Sequence, residues 1–245
     1  MSRPDTESVE LHRWKTRAET VDGELCTMIE AFRATGPDHP HHIHQLFAEL
    51  YLCTTRHWLA RLADREDSEY AYRVICHFLQ FYKDHVLDRI DHPLDTIAPH
   101  WRSYHRMARR QTIQSPISAH LILISVGARA HTHGDLGHAM SLAEKDIAHR
   151  CGSGSASLAE RQKIFGGIAD DAFYHAALDY VALHHARQAG WRRIVLKLYR
   201  VGLYTLRPVW LSVFQWWRRT GYGKVVAATA RSRTTYWGKD SPQDL

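Results

Sequence analysis

Apolar side chains recur every three or four residues through most of this 245-residue chain, and this spacing constrains its fold more than any other feature. Val21, Leu25 and Phe32 form one such stripe, and similar stripes cover residues 46–64 and 70–90. A helix brings residues at this spacing to one face, whereas a half-buried β-strand needs a sustained alternation that the chain lacks. We therefore predict an all-α fold, a single compact bundle of helices.

A long apolar segment is predicted to be the central helix of this bundle, at about residues 115–144. Ser115 and Pro116 suit a helix start, because serine can cap free amides and proline tolerates the first helical position. The uninterrupted apolar run is about half as long as a membrane span requires. We therefore expect a buried helix and no transmembrane segment.

Charge and composition divide the chain into three predicted parts. Residues 1–190 are expected to form the helical domain, residues 191–230 a basic aromatic helical extension packed on it, and residues 231–245 a flexible tail. Within the first part, the segment CGSGSAS (151–157) predicts a linker between two helices. The start of the chain lacks a signal-peptide core, and the four cysteines form no CxxC pair, so we expect a cytoplasmic protein.

The positive charge of the chain is concentrated near its end. From Arg187 onward there are 12 Lys and Arg residues against Asp240 and Asp244. Such a segment could pack on the core with a basic outer face, or lie on a membrane surface, whereas nucleic acid is not an expected partner. The residues expected to contact a membrane or an anion are Arg192, Arg193, Lys197, Arg200, Trp216, Trp217, Arg218 and Arg219.

The stretch RAHTHGDLGHAM (129–140) carries the strongest functional signal. His131 and Asp135 are one helical turn apart, and His138 falls on the same face if the helix is regular. Imidazole and carboxylate groups at this spacing can bind one divalent ion, for which zinc or iron is expected. We predict His131, Asp135, His138 and His175 as metal ligands, and Asp171 or Asp179 as the catalytic base.

Other helices show comparable stripes of histidine and aspartate. If these faces converge in the bundle, their side chains could complete the site, as they do in metal-binding helical bundles. The further or alternative ligands are His77, Asp84, Asp88 and His120.

Two other interpretations of the stretch stay open. His131 and Asp135 could hydrogen-bond within the core, as buried polar groups require, or could carry out acid–base chemistry without a metal. Gly134 and Gly137 cost stability inside a helix, so they indicate either the close approach of a neighbouring helix or ligand, or a break in the helix.

Three stretches resemble a bacterial helical family, domain of unknown function family 5995: LFAELYL (46–52), PHWRSY (99–104) and LILISVGARAHTHGDL (121–136). The family's Ala-His-Ile-Asn-x-Asp-Leu motif matches Ala130, His131, Asp135 and Leu136, whereas Thr132 and His133 depart from it. The likeness spans about residues 21–185. It implies a compact helical domain with His131 and Asp135 at its site, and it implies no particular activity.

The segment HTHGD (131–135) is also similar to the His-x-x-Gly-Asp ligand pair of zinc-dependent phospholipase C. That family also uses an N-terminal tryptophan, and here Met1 is followed by Ser2. The likeness therefore implies zinc ligands at His131 and Asp135, and not a full trinuclear centre.

We hypothesise a metal-dependent enzyme that hydrolyses a phosphoester or ester of an anionic or amphiphilic, small-molecule or lipid-like substrate. The first alternative is a non-haem iron oxygenase or another biosynthetic tailoring enzyme. The second is a non-enzymatic helical module that binds lipid or a partner through residues 191–224.

Overall fold

The computed structural model describes residues 4–65, 68–148 and 158–237, and within these ranges the chain is helical with no β-strand. The first half contains α1 (Pro4–Ala34), α2 (Gln45–Leu62), α3 (Glu69–His85) and α4 (Arg102–Ala108), with short 3-10 helices at Pro40–His44 and Leu87–Arg89. The second half contains α5 (Ile117–Arg129), α6 (Leu136–Ala148), α7 (Leu158–Arg187), α8 (Gly190–Thr205) and α9 (Arg207–Trp237). The predicted all-α bundle is confirmed.

Large aromatic side chains fill the core. Helix α2 packs against α1 and α7, while α3 packs against α1 and α6. Burying such rings contributes more apolar area than any other residue type, which favours a core built from them. The largest fully buried side chains include Trp58, Trp101, Tyr72, Tyr82, Tyr104, Phe78 and Phe165.

The predicted central helix is one continuous helical run made of three parts. Helix α5 leads into a π-helical turn, Ala130–Asp135, which leads directly into α6. Gly137, in α6, lets α9 approach closely, because a Cβ atom there would lie 3.0 Å from the backbone of Gly221. Close packing therefore accounts for Gly137, and the helical run is not broken there.

The C-terminal extension consists of two helices that pack differently. Helix α9 packs on α6, on α7 and on the π-helical turn, whereas α8 packs mainly on α7 and buries only Leu196 and Leu203. Helix α9 reaches Trp237, so the first seven residues of the predicted tail are helical. The rest of that tail and the predicted CGSGSAS linker lie outside the described residues.

Among the described residues, none of the helices combines the length with the apolar character that a membrane span requires.

Candidate metal centre

The π-helical turn Ala130–Asp135 presents the side chains of the site. Such turns are rare, and they are frequently found at functional sites. Gly134 lies within it, and a Cβ atom there would come within 2.1 Å of the imidazole of His100. The glycine therefore lets His100 lie against the helix backbone, next to the carboxylate of Asp135.

Asp135 is fully buried, and its carboxylate accepts four hydrogen bonds. Oδ1 accepts from His85 Nδ1 at 2.9 Å and from His100 Nε2 at 2.7 Å. Oδ2 accepts from His131 Nδ1 and from Trp101 Nε1, each at 2.8 Å. A carboxylate that accepts four hydrogen bonds is ionised, because a protonated one would have to donate in one of these directions.

These contacts change the pKa values of the groups involved. Burial alone would raise the pKa of Asp135, but hydrogen bonds from His100, His131 and His85 hold it well below its usual range. The hydrogen bond to Asp135 raises the pKa of His85 against the opposing effect of burial. Burial lowers the pKa of His131, although Asp135 opposes this effect. The site thus combines an anionic carboxylate with a neutral His131 and a His85 that binds a proton readily.

The ring of His131 is fixed by aromatic neighbours. It stacks on Phe78, with ring centroids 3.5 Å apart and an angle of 8° between the planes. The ring of Tyr51 lies edge-on at 4.9 Å. Because Nδ1 donates to Asp135 and Nε2 is buried without a hydrogen-bond partner in the described chain, His131 can orient the carboxylate but is closed to solvent.

His85, His100 and Asp135 can hold a metal ion. One ligand atom from each residue lies within 4.8 Å of the other two, and among the described residues no other group of three His, Cys, Asp or Glu side chains meets this condition. The two imidazoles are half-buried, with 26% and 29% of their side chains exposed, so an ion could reach them. Imidazole nitrogen and carboxylate oxygen are common ligands of zinc and of iron.

The structure places the predicted ligand His138 near this cluster but not within it. Its side chain is exposed, whereas His131 and Asp135 are buried. Burial lowers the pKa of His138, and His100 and His85 lower it further, whereas Asp135 acts to raise it. A π-helical turn has more residues than an α-helical turn, which shifts the face of the residues that follow it.

His175, Asp171 and Asp179 lie together at the interface of α2 and α7. Asp171 pairs with Arg61 of α2, and His57 of α2 lies 2.7 Å from the Asp179 carboxylate. Nδ1 of His175 hydrogen-bonds within α7 to the carbonyl oxygen of Asp171. The structure therefore does not bring these three predicted residues to Asp135.

The alternative ligands are also dispersed. Nε2 of His77 contacts Asp146 at 2.8 Å, and Asp84 accepts a hydrogen bond from Gln80 within α3. Asp88 lies in the 3-10 helix Leu87–Arg89, and His120 bonds the carbonyl oxygen of Thr112 in the loop before α5. None of them belongs to the group formed by His85, His100 and Asp135.

The predicted basic and aromatic contact residues divide between α8 and α9. On α8, Arg192 donates to the carbonyl oxygens of Gln114 and Ser115, while Arg193, Lys197 and Arg200 are exposed. On α9, Arg218 forms an ion pair with Asp170, and Trp216 stacks on the ring of His133. Trp217 packs edge-on against Phe214, and Arg219 is exposed.

Sequence reasoning missed His85, His100 and Trp101 as partners of Asp135. Trp101 packs in the core, and its indole also donates to the carboxylate. His100 and Trp101 are adjacent in the stretch PHWRSY (99–104), whose sequence resembles a family but shows no spacing that connects its imidazole with Asp135. The only local signal was an imidazole beside a tryptophan in a loop.

Comparison with known proteins identifies no relative of the chain: no protein-family model, no curated protein and no solved structure matches it.

Proposed function

We propose that the chain binds a divalent metal ion through His85, His100 and Asp135 and uses it to hydrolyse a phosphoester or ester. The observation that carries this proposal is the convergence of two half-exposed imidazoles on one oxygen of a fully buried carboxylate. Nδ1 of His85, Nε2 of His100 and Oδ1 of Asp135, which are joined by hydrogen bonds in the structure, are the atoms that would bind the ion.

Charge supports a cation at this position. In the described chain, no arginine or lysine pairs with Asp135, and its four hydrogen bonds come from three imidazoles and an indole. A buried carboxylate without a fixed positive neighbour is costly unless a proton or a metal ion balances its charge. A divalent ion would supply that charge directly.

The supporting residues fit a metal centre. His131 and Trp101 hold the second carboxylate oxygen, which fixes the direction in which Oδ1 points. Groups of this kind orient metal ligands and strengthen metal binding. We therefore assign to His131 the role of holding Asp135, and not the direct metal contact expected from its spacing.

Two imidazoles and one carboxylate leave coordination positions for water and substrate. A bound divalent ion lowers the pKa of a coordinated water, which makes hydroxide available near neutral pH. His138 is exposed and follows Asp135 by three residues at the start of α6, so we assign it the role of general base. Asp171 and Asp179 take no part in this proposal, because they lie at the interface of α2 and α7.

Membership of domain of unknown function family 5995 is part of the same proposal, since its motif supplies His131 and Asp135. The likeness to zinc-dependent phospholipase C favours zinc and a phosphoester. The ligand set itself also suits a non-haem iron oxygenase, which uses two histidines and one carboxylate. The metal that the protein prefers separates these two reactions.

The first test measures metal binding by calorimetry and elemental analysis of untagged protein, with Zn²⁺ in air and Fe²⁺ under argon. We expect one ion per chain, and we expect the His85→Ala/His100→Ala variant to lose at least about 100-fold in affinity. The matched control is His57→Ala/His175→Ala, because these rings are also half-exposed and lie 5.7 Å apart, against 5.4 Å for His85 and His100.

Equal metal binding by both double variants would contradict the assignment of the metal site to His85, His100 and Asp135. If binding is confirmed, the loaded protein is assayed on p-nitrophenyl phosphate, bis-p-nitrophenyl phosphate and p-nitrophenyl butyrate. Turnover that is lost in His138→Ala and in the ligand variant, but kept in the control, is the expected result. Binding of Fe²⁺ with oxygen consumption, and no turnover of these esters, would favour the oxygenase instead.

A further inference from the structure

Helix α8 exposes an apolar stripe that the rest of the described chain does not cover. Three of its side chains, Trp191, Ile194 and Leu198, are 63%, 60% and 65% exposed, and Val201 continues the stripe. Their spacing of three or four residues puts them on one face of the helix. The opposite side of α8 buries Leu196 and Leu203 against the domain. The helix is therefore apolar on two sides, only one of which packs.

A basic band runs beside this stripe. Arg193, Lys197 and Arg200 are exposed and follow one another at the same helical spacing. No carboxylate pairs with any of the three in the described chain, and the sequence has no Asp or Glu from residue 180 to residue 239. The surface of α8 is therefore purely cationic next to an apolar face.

The basic band lines a groove of about 350 Å³ where α7 meets α8. Its walls are formed by His185, Gly190, Arg193, Ile194, Lys197 and Arg200. Nε of Arg193 lies 3.4 Å from Nε2 of His185, which places two nitrogen-bearing side chains together at the groove. A phosphate group would find four side chains with nitrogen donors there and no competing carboxylate.

We propose that α8 is a membrane-binding helix that lies in the surface of a bilayer containing anionic phospholipid. The apolar stripe enters the acyl region, and the groove receives a phosphate headgroup. Interfacial helices combine these two features: a strongly apolar face with tryptophan, and lysine or arginine along its border. With 16 residues, α8 is about 24 Å long, enough to lie in the surface of a bilayer.

Charge complementarity favours an anionic lipid surface over a symmetric dimer formed through α8. Such a dimer would bring two purely cationic α8 surfaces together, and like charges would repel. An anionic bilayer offers negative headgroups and apolar chains at neighbouring depths, in the arrangement that α8 presents. Basic residues close to a membrane surface strengthen binding when the lipid is anionic.

The test is flotation of the full chain with vesicles of phosphatidylcholine alone or enriched in phosphatidylserine. We expect salt-sensitive binding to the phosphatidylserine vesicles only. Trp191→Ser/Leu198→Ser should weaken it at least about tenfold, because two large apolar side chains no longer enter the bilayer. Lys197→Glu/Arg200→Glu should abolish the preference for anionic lipid.

The matched control is Val9→Ser/Ile122→Ser, which removes apolar side chains of similar exposure, 64% and 55%, from other helices. This variant should bind vesicles like the unchanged protein, and circular dichroism should show that all variants are folded. Equal loss of binding in the control, or no binding to either vesicle, would overturn the proposal. A stripe-dependent dimer without vesicle binding, or glycerol phosphate binding that ignores the stripe, would also overturn it.

Discussion

Two buried carboxylates in this bundle are satisfied in different ways. Glu49 accepts hydrogen bonds from Arg33, Arg187 and His184, so two permanent cations balance its charge. Asp135 accepts only from imidazole and indole groups. Both carboxylates are almost inaccessible to water, at 4% and 0% of their side chains.

The difference separates a structural ion pair from a site that can bind a cation. At Glu49 two arginines already more than neutralise the carboxylate, so a metal ion would have to displace an arginine. At Asp135 the balancing charge must arrive as a proton, which His85 readily takes up, or as a metal ion. Buried titratable groups that lack a fixed partner are the more informative pointers to function.

The largest difference expected between the two carboxylates is the loss in the free energy of unfolding when each is replaced by alanine. Asp135→Ala leaves Trp101 and His131 with buried donors that cannot reach water, so we expect a loss of about 4 kcal/mol in the free energy of unfolding. Glu49→Ala should cost about half as much, because it leaves only His184 with a buried donor, whereas the side chains of Arg33 and Arg187 are 43% and 46% exposed and can turn to solvent. Urea unfolding in the presence of a chelator measures both, and equal losses would remove the distinction.

Zinc should stabilise the folded protein by binding at the Asp135 site, and Glu49 should play no part in this effect. At 100 times its dissociation constant, a ligand that binds only the folded state adds about 2.7 kcal/mol to the free energy of unfolding. We expect this gain in the unchanged protein and in Glu49→Gln, and none in His85→Ala/His100→Ala. Thermal unfolding with and without Zn²⁺ is the measurement. Stabilisation of all three proteins would mean that the ion binds elsewhere.

Low pH should reduce the contribution of Glu49 to the free energy of unfolding. Burial alone would raise the pKa of Glu49, but hydrogen bonds from His184, Arg187 and Arg33 lower it from 4.5 to about 2. Its stabilisation is therefore complete above the unfolded value of 4.5 and is lost as the pH falls towards about 2. The unchanged protein should exceed Glu49→Gln by roughly 2 kcal/mol near neutral pH, and this gap should narrow below pH 4.5. A gap independent of pH would show that charge on Glu49 does not stabilise the fold.

The spacing of apolar residues predicted the helices because the buried face of a helix is set by residues three or four positions apart in the same segment. The pair of His131 and Asp135 could be predicted from the sequence for the same reason, since four residues span about one helical turn. His85 and His100 lie 50 and 35 residues before Asp135, so only the tertiary packing of α3 and of the loop before α4 brings them there. The sequence pattern of residues 70–90 pointed to His77, Asp84 and Asp88, whereas His85, which is adjacent to Asp84, faces Asp135.

The π-helical turn explains the part of the site that regular geometry could not place. Counting 100° per residue put His131, Asp135 and His138 on one face, but the wider turn leaves His138 exposed. His175, Asp171 and Asp179 share a face of α7, and that face meets α2 and not the central helix. The sequence of a single helix shows which residues share a face, but it does not show which neighbouring helix that face contacts.

The smallest expected effect tests whether Gly134 shapes the Asp135 site. Gly134→Ala would place a methyl group against the imidazole of His100, which must then move away from Asp135. We expect zinc affinity to fall about tenfold, since misplaced metal ligands bind more weakly. The control is Gly167→Ala in α7, where a methyl group meets nothing within 4 Å. It should leave zinc affinity unchanged and raise stability by about 0.5 to 1 kcal/mol, because alanine favours the helix. If titration calorimetry gives both variants the same zinc affinity, His100 is not held in place by contact with the turn, and its part in the site would rest on Asp135 alone.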